Sequence, residues 1–186
     1  MSKVRLATVW LDGCSGCHMS FLDMDERIIE IAARVEVVYS PLVDLKEFPA
    51  DVDVTIVEGG VSSEEDLHKI RMVRSRTKLL IALGDCAVTS NVPGMRNTFK
   101  VDDVMKRAYF ENADLKQQIP SDVIPKLLPR TRPVHEVVPV DVFLPGCPPP
   151  ADVIFGALRA LTLPAPRGFS SRRRARANRA GATAVP

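Results

Sequence analysis

Apolar residues run along this chain in two rhythms. Five short stretches, Val4 to Leu11, Val35 to Tyr39, Asp53 to Glu58, Lys78 to Leu83 and Val140 to Leu144, carry apolar residues at both odd and even positions and read as strands buried on both faces. Between them, apolar positions recur at helical spacing over Met19 to Arg34 and Ala151 to Leu161. A third helix starts at Ser62-Ser63-Glu64-Glu65, a capping serine followed by acids in the first turn, and runs to about Arg76. Gly59-Gly60, Gly84 and Pro145-Gly146 close three of the strands. Strands that alternate with helices predict a parallel sheet covered on both sides. With five strands the expected fold is α/β, a flavodoxin-like doubly wound parallel sheet.

One segment breaks the rhythm. Residues 87–139 form a connection much longer than a normal strand–helix link, placed before the last strand and carrying Pro93, Pro120, Pro125, Pro129, Pro133 and Pro139. One helix is expected inside it, about Val101 to Glu111. Connections of this length are usually functional or bound to a partner.

Composition narrows the picture. The 186 residues are 46% hydrophobic but only 5% aromatic, so a single domain with an aliphatic core is expected over residues 1–166. The Arg-rich tail, residues 167–186, holds six arginines (Arg167, Arg172, Arg173, Arg174, Arg176 and Arg179) and no acid. The net charge of +2 therefore hides a net acidic body, which argues against a basic face for nucleic acid. No apolar run approaches the ~20 residues needed to span a bilayer. The first residues enter a strand at once and show no leader pattern, so the expected compartment is the cytoplasm, where thiols stay reduced.

The four cysteines carry the chemistry. Cys14 and Cys17 follow the first strand in W-L-D-G-C-S-G-C-H-M-S-F-L-D, Cys86 follows the fourth in A-L-G-D-C, and Cys147 follows the fifth in F-L-P-G-C-P-P-P. In a parallel sheet these positions are all carboxyl ends, the edge where open α/β sheets bind ligands. Four readings compete. A dithiol explains only Cys14 and Cys17. Cys14-Ser15-Gly16-Cys17-His18 matches the c-type haem pattern but also leaves two cysteines idle. Structural zinc usually uses paired C-x-x-C knuckles, and the other two cysteines here are singletons. A [4Fe–4S] cluster takes four cysteines and tolerates irregular spacing, and is the favoured reading. Around the cysteines, His18 reads as a polar cap or a donor to the site, and Asp12 and Asp85 as turn caps. Glu58 reads as a solvated or interface carboxylate, and Trp10 as core or subunit interface. The position after the first strand where a flavin phosphate would bind is taken by the cysteines.

These strings resemble the small subunit of [NiFe] hydrogenases over residues 3 to about 163, most closely the soluble NAD-reducing type. The resemblance implies that Cys14, Cys17, Cys86 and Cys147 are the iron ligands of one proximal [4Fe–4S] cluster, in an electron-transfer subunit with no catalytic residue of its own. It further implies a large subunit with a Ni–Fe site, and diaphorase subunits with FMN and further Fe–S clusters. Longer members carry extra ligands in a C-terminal domain, and no cysteine follows Cys147 here. The cluster-bearing subunit of respiratory complex I shares the G-C-P-P element but has adjacent cysteines at its first ligand site. A complex I-like quinone oxidoreductase and a stand-alone zinc or dithiol module remain the alternatives.

Overall fold

A computed structural model describes residues 3–162. The sheet predicted from sequence is present. Strands β1 (Val4–Trp10), β2 (Val35–Tyr39), β3 (Val52–Glu58), β5 (Thr77–Leu83) and β7 (Val142–Leu144) lie in the order β2-β1-β3-β5-β7, every pair parallel. That is the flavodoxin-like order, and all five carboxyl ends share one edge. The registers Trp10 opposite Glu58 and Glu58 opposite Leu83 align the ends of the three central strands.

The two-residue period of a strand divides the apolar side chains between two cores. Ala7, Val9, Val57, Leu80 and Ala82 join Ile70 and Val73 of helix α3 (Glu64–Ser75) on one face. Leu6, Ile56, Ile81 and Leu83 join Met24 and Ile31, with Ile154 and Leu158 of helix α7 (Ala151–Thr162), on the other. Continuous apolar runs were therefore the correct signal for strands covered on both sides.

The structure alters three local expectations. The helix expected over Met19 to Arg34 is two pieces, α1 (Gly16–Leu22) and α2 (Arg27–Ala32). Between them Asp25 takes a left-handed conformation (φ 50°), which aspartate tolerates better than most residues, and Met24 turns into the core at 1% exposure. The helix expected over Val101 to Glu111 is α-helical only over α6 (Val101–Lys106) and continues as a wider turn. A second, two-stranded antiparallel sheet pairs β4 (Val61–Ser63) with β6 (Leu127–Arg132). It was not legible beforehand, because β4 is three residues long and β6 carries Pro129 and two arginines. Ser63 nonetheless caps α3 as predicted. Its hydroxyl accepts the Asp66 backbone N–H (3.1 Å), and the Asp66 carboxylate accepts the Ser63 N–H (3.0 Å).

The long connection packs one side against the body and leaves the other bare. Leu128, Val134 and Val138 enter the α3-side core. Asn97 and Thr131 exchange hydrogen bonds of 2.8 and 2.9 Å, and Arg96 donates to the Ser62 and Leu128 carbonyls. Met95, Phe99, Leu115 and Val123 stay exposed. Among the described residues no helix is long and apolar enough to cross a membrane. The Arg-rich tail lies outside the described residues.

Candidate metal centre

Each cysteine loop is fixed by backbone bonds before any ligand is considered. After β1, Leu11 N–H donates to the Glu58 carbonyl (3.0 Å), and Asp12 and Gly60 exchange backbone bonds of 3.1 and 2.7 Å. Gly59 makes this approach possible: at φ 88° a side chain would fall 2.7 Å from the backbone of Leu11 and Asp12. Ser15, at φ 63°, turns the chain into α1, whose first turn carries Cys17. Cys86 lies in α4 (Gly84–Thr89) directly after β5. Asp85 joins the Cys86 and Cys147 loops, because its N–H donates to the Gly146 carbonyl (2.8 Å) and its carboxylate accepts the Gly146 N–H (2.7 Å). Beyond Cys147 the Ser20 hydroxyl donates to the Pro149 carbonyl, tying α1 to the entry of α7.

These loops bring the four thiols, all free, to one region. Cys17 and Cys86 face inward, whereas Cys14 and Cys147 are exposed. Burial pushes the Cys17 thiol up to about 12, and the negative charge of Glu58, Cys86 and Cys14 adds to it. Burial also raises the Cys86 thiol, opposed by a hydrogen bond from the Val92 backbone N–H and reinforced by Cys14 and Cys147. Each buried thiol therefore senses two of the others. Gly84 is the cradle for this approach: a Cβ there would lie 2.2 Å from the Cys17 sulfur, so any side chain would displace the thiol. Among the described residues no three His, Cys, Asp or Glu side chains group as ligands of a single metal ion. A tetrahedral zinc site would hold its sulfurs about 3.8 Å apart, whereas a cluster spreads its ligands over several irons.

The neighbours mostly follow expectation, with one correction. Asp85 caps a turn, as read from sequence. Asp12 holds its turn through its backbone. Glu58 is not a solvated carboxylate: it is 3% exposed and accepts the His18 backbone N–H at 2.9 Å. The sequence signal was its position, a strand end on the ligand edge, but its burial depends on α1 folding over it. His18 is also buried, with Nδ1 3.1 Å from the Glu58 carboxylate and its ring edge-on to Trp10 at 5.2 Å. One contact had no signal in the sequence: Asn91, which follows Cys86 by five positions, donates its side-chain amide to the Cys147 sulfur at 3.5 Å.

An open parallel sheet with four thiols at its carboxyl edge defines a class of cysteine-bearing α/β domains, and similarity to known proteins specifies it. The family described as NADH ubiquinone oxidoreductase, 20 Kd subunit, matches residues 14–161, and the chain belongs to it, on the side of the [NiFe] hydrogenase small subunits. The NAD-reducing hydrogenase HoxS subunit delta of Cupriavidus necator is 42% identical over 84% of this chain and 77% of its own length. A subunit of the F420-non-reducing hydrogenase vhu of Methanocaldococcus jannaschii is 38% identical over 85% of this chain. There this chain spans only 56% of the relative. A crystal structure of an NAD+-reducing [NiFe]-hydrogenase in the H2-reduced state contains a chain that superposes with a TM-score of 0.85 at 37% identity. The match covers 92% of this chain and 97% of that one. The family description names the complex I alternative, whereas these relatives favour hydrogenase.

Proposed function

We propose that Cys14, Cys17, Cys86 and Cys147 hold one [4Fe–4S] cluster and that this chain is the electron-transferring small subunit of an NAD-reducing hydrogenase. The observation that carries the reading is the convergence of four cysteine loops on one sheet edge, with the Gly84 cradle admitting the Cys17 sulfur. When bound, such a cluster stores and passes on single electrons. The chain's own residues shape its surroundings. The Asp85–Gly146 bonds fix the spacing of two ligand loops, and Glu58 anchors the start of α1 behind Cys17. The thiols must lose their protons on binding, so loading competes with the burial that keeps Cys17 protonated.

The partners follow from the same reading. A large subunit with a Ni–Fe site supplies electrons, and diaphorase subunits with FMN and further Fe–S clusters pass them to NAD. The exposed apolar side of the connection, with the cluster edge, is the docking surface for the large subunit. The assembly resides in the cytoplasm and uses neither membrane nor nucleic acid.

The test is metal analysis of anaerobically purified chain. About four iron and four sulfide per chain are expected. In Cys86→Ser or Cys147→Ser, iron content and the reduced-cluster spectrum should fall away. One zinc per chain without sulfide would establish the binding-module alternative instead. Hydrogen-dependent reduction of NAD against other carriers, measured on the co-purified complex, tests the acceptor separately.

A further inference from the structure

Asn91 reaches a cysteine with its side chain. Its Nδ2 donates to the Cys147 sulfur at 3.5 Å. The backbone N–H of the next residue, Val92, acts on the Cys86 thiol in the direction opposite to burial. Two consecutive residues thus bring N–H groups to bear on two of the four thiols. On the opposite side, Cys17 meets a carboxylate, Glu58.

The Asn91 contact is built into the backbone on both its ends. Ser90, buried at φ 67°, turns the chain out of α4, and its N–H donates to the Cys86 carbonyl at 3.1 Å. Gly94 N–H returns to the Ser90 carbonyl at 2.7 Å and closes the short helix α5 (Asn91–Gly94). The acceptor side is held by the double bond pair between Asp85 and Gly146, one residue before Cys147. The backbones that carry donor and acceptor are therefore both referenced to the Asp85–Cys86 segment, and the exposed Asn91 side chain spans the remaining distance to the sulfur.

Resting on the cluster reading above, we infer that Asn91 is a positioning residue that sets the reduction potential by donating an N–H···S hydrogen bond to Cys147. Reduction adds one electron, delivered from the partner's hydrogen-oxidising site and later passed to the next carrier, and so adds one negative charge to the sulfur-ligated group. A donor aimed at a ligand sulfur stabilises that extra charge and raises the potential. Deleting it favours the oxidised form, and a carboxylate in its place favours it further.

The experiment is an EPR-monitored redox titration of the anaerobically purified full chain, comparing the native protein with Asn91→Ala and Asn91→Asp. Iron and sulfide should be retained in both. The potential should fall in the order native, Asn91→Ala, Asn91→Asp. At a fixed ambient potential the oxidised-to-reduced ratio is expected to rise about tenfold in Asn91→Ala, a shift of about 59 mV for a one-electron couple. In deuterated solvent, the reduced native chain should show an exchangeable deuteron coupled to the spin that both variants lack. Unchanged potentials with full iron content would overturn the inference and leave the cluster reading intact. Loss of iron in both variants would make Asn91 a structural residue and also overturn it. A native chain without iron and sulfide would overturn the cluster reading itself.

Discussion

The sheet body and the connection before β7 solve the same problem in opposite ways. The body closes on itself. Val52, Val57, Leu80, Ile81 and Ala82 are fully buried between helices that this chain supplies. The connection instead spends apolar side chains on its outer side. Met95 is 72% exposed, Phe99 65% and Leu115 86%. Phe99 also lines a groove of ≈ 710 Å³ with Ile119, Pro120 and Ile124. This is the surface that the proposed large-subunit contact would cover. The core of the body is made by residues of this chain, whereas the outer side of the connection is left without a cover from it.

Substitutions can break that contrast, and the largest effect is expected at the connection. Phe99→Asp should lower affinity for the co-expressed large subunit by about 30-fold or more, as loss of a central apolar anchor does. The melting temperature of the free chain should hardly change, since the ring is already in water. A pull-down titration paired with thermal denaturation reads both quantities. Equal loss of stability and binding would mean that the connection belongs to the body after all.

Ile81→Ala should do the reverse. Removing a fully buried side chain from the middle of the sheet costs about 2–5 kcal/mol, measured by denaturant unfolding of the free chain. Binding of the fraction that remains folded should be near normal. If the unfolding midpoint stayed in place, the two-sided core would not be the source of stability.

The smallest effect sharpens the contrast at the body's surface. Lys78 and the Arg5 backbone N–H, at 2.7 and 2.9 Å, hold the Asp53 carboxyl below its ordinary value of 3.8. A lowered folded value means the contribution is complete above the unfolded pKa and is lost as pH falls through the folded one. Asp53→Asn should therefore lower the melting temperature at neutral pH by at most about 2 °C, less in high salt. The difference should vanish in acid. A larger effect that persists at low pH would point to the hydrogen bonds rather than the charge.

The same contrast explains what could be read from sequence. Strand runs such as Lys78 to Leu83 were legible because burial on both faces leaves no polar interruption, and their order carried the four cysteines to one edge. The capping serine of α3 was legible because a cap is a local bond. The break at Met24-Asp25 was not, since it depends on a core pocket built by distant residues. The β4–β6 pairing was hidden for the same reason: each strand is stabilised by a partner more than 60 positions away and by little of its own. Glu58 was visible as a position but not as a buried group, because α1 has to fold over it first. Asn91 lay in an unremarkable turn sequence. Only the Asp85–Gly146 bonds, which fix where Cys147 stands, make it a neighbour of that sulfur.

The placement of Cys147 has a consequence for biosynthesis. Synthesis delivers the chain from its N-terminus, so Cys14 and Cys17 emerge before Cys86, and β7 with the loop behind it emerges after all three. Until then Asp85 has no Gly146 to hold, and Ser20 has no Pro149 carbonyl. Three of the four thiols are present before β7 is made, and the fourth arrives only when the sheet is complete. On the proposed cluster reading, a product cut short before Cys147 lacks the fourth ligand and should not retain the cluster.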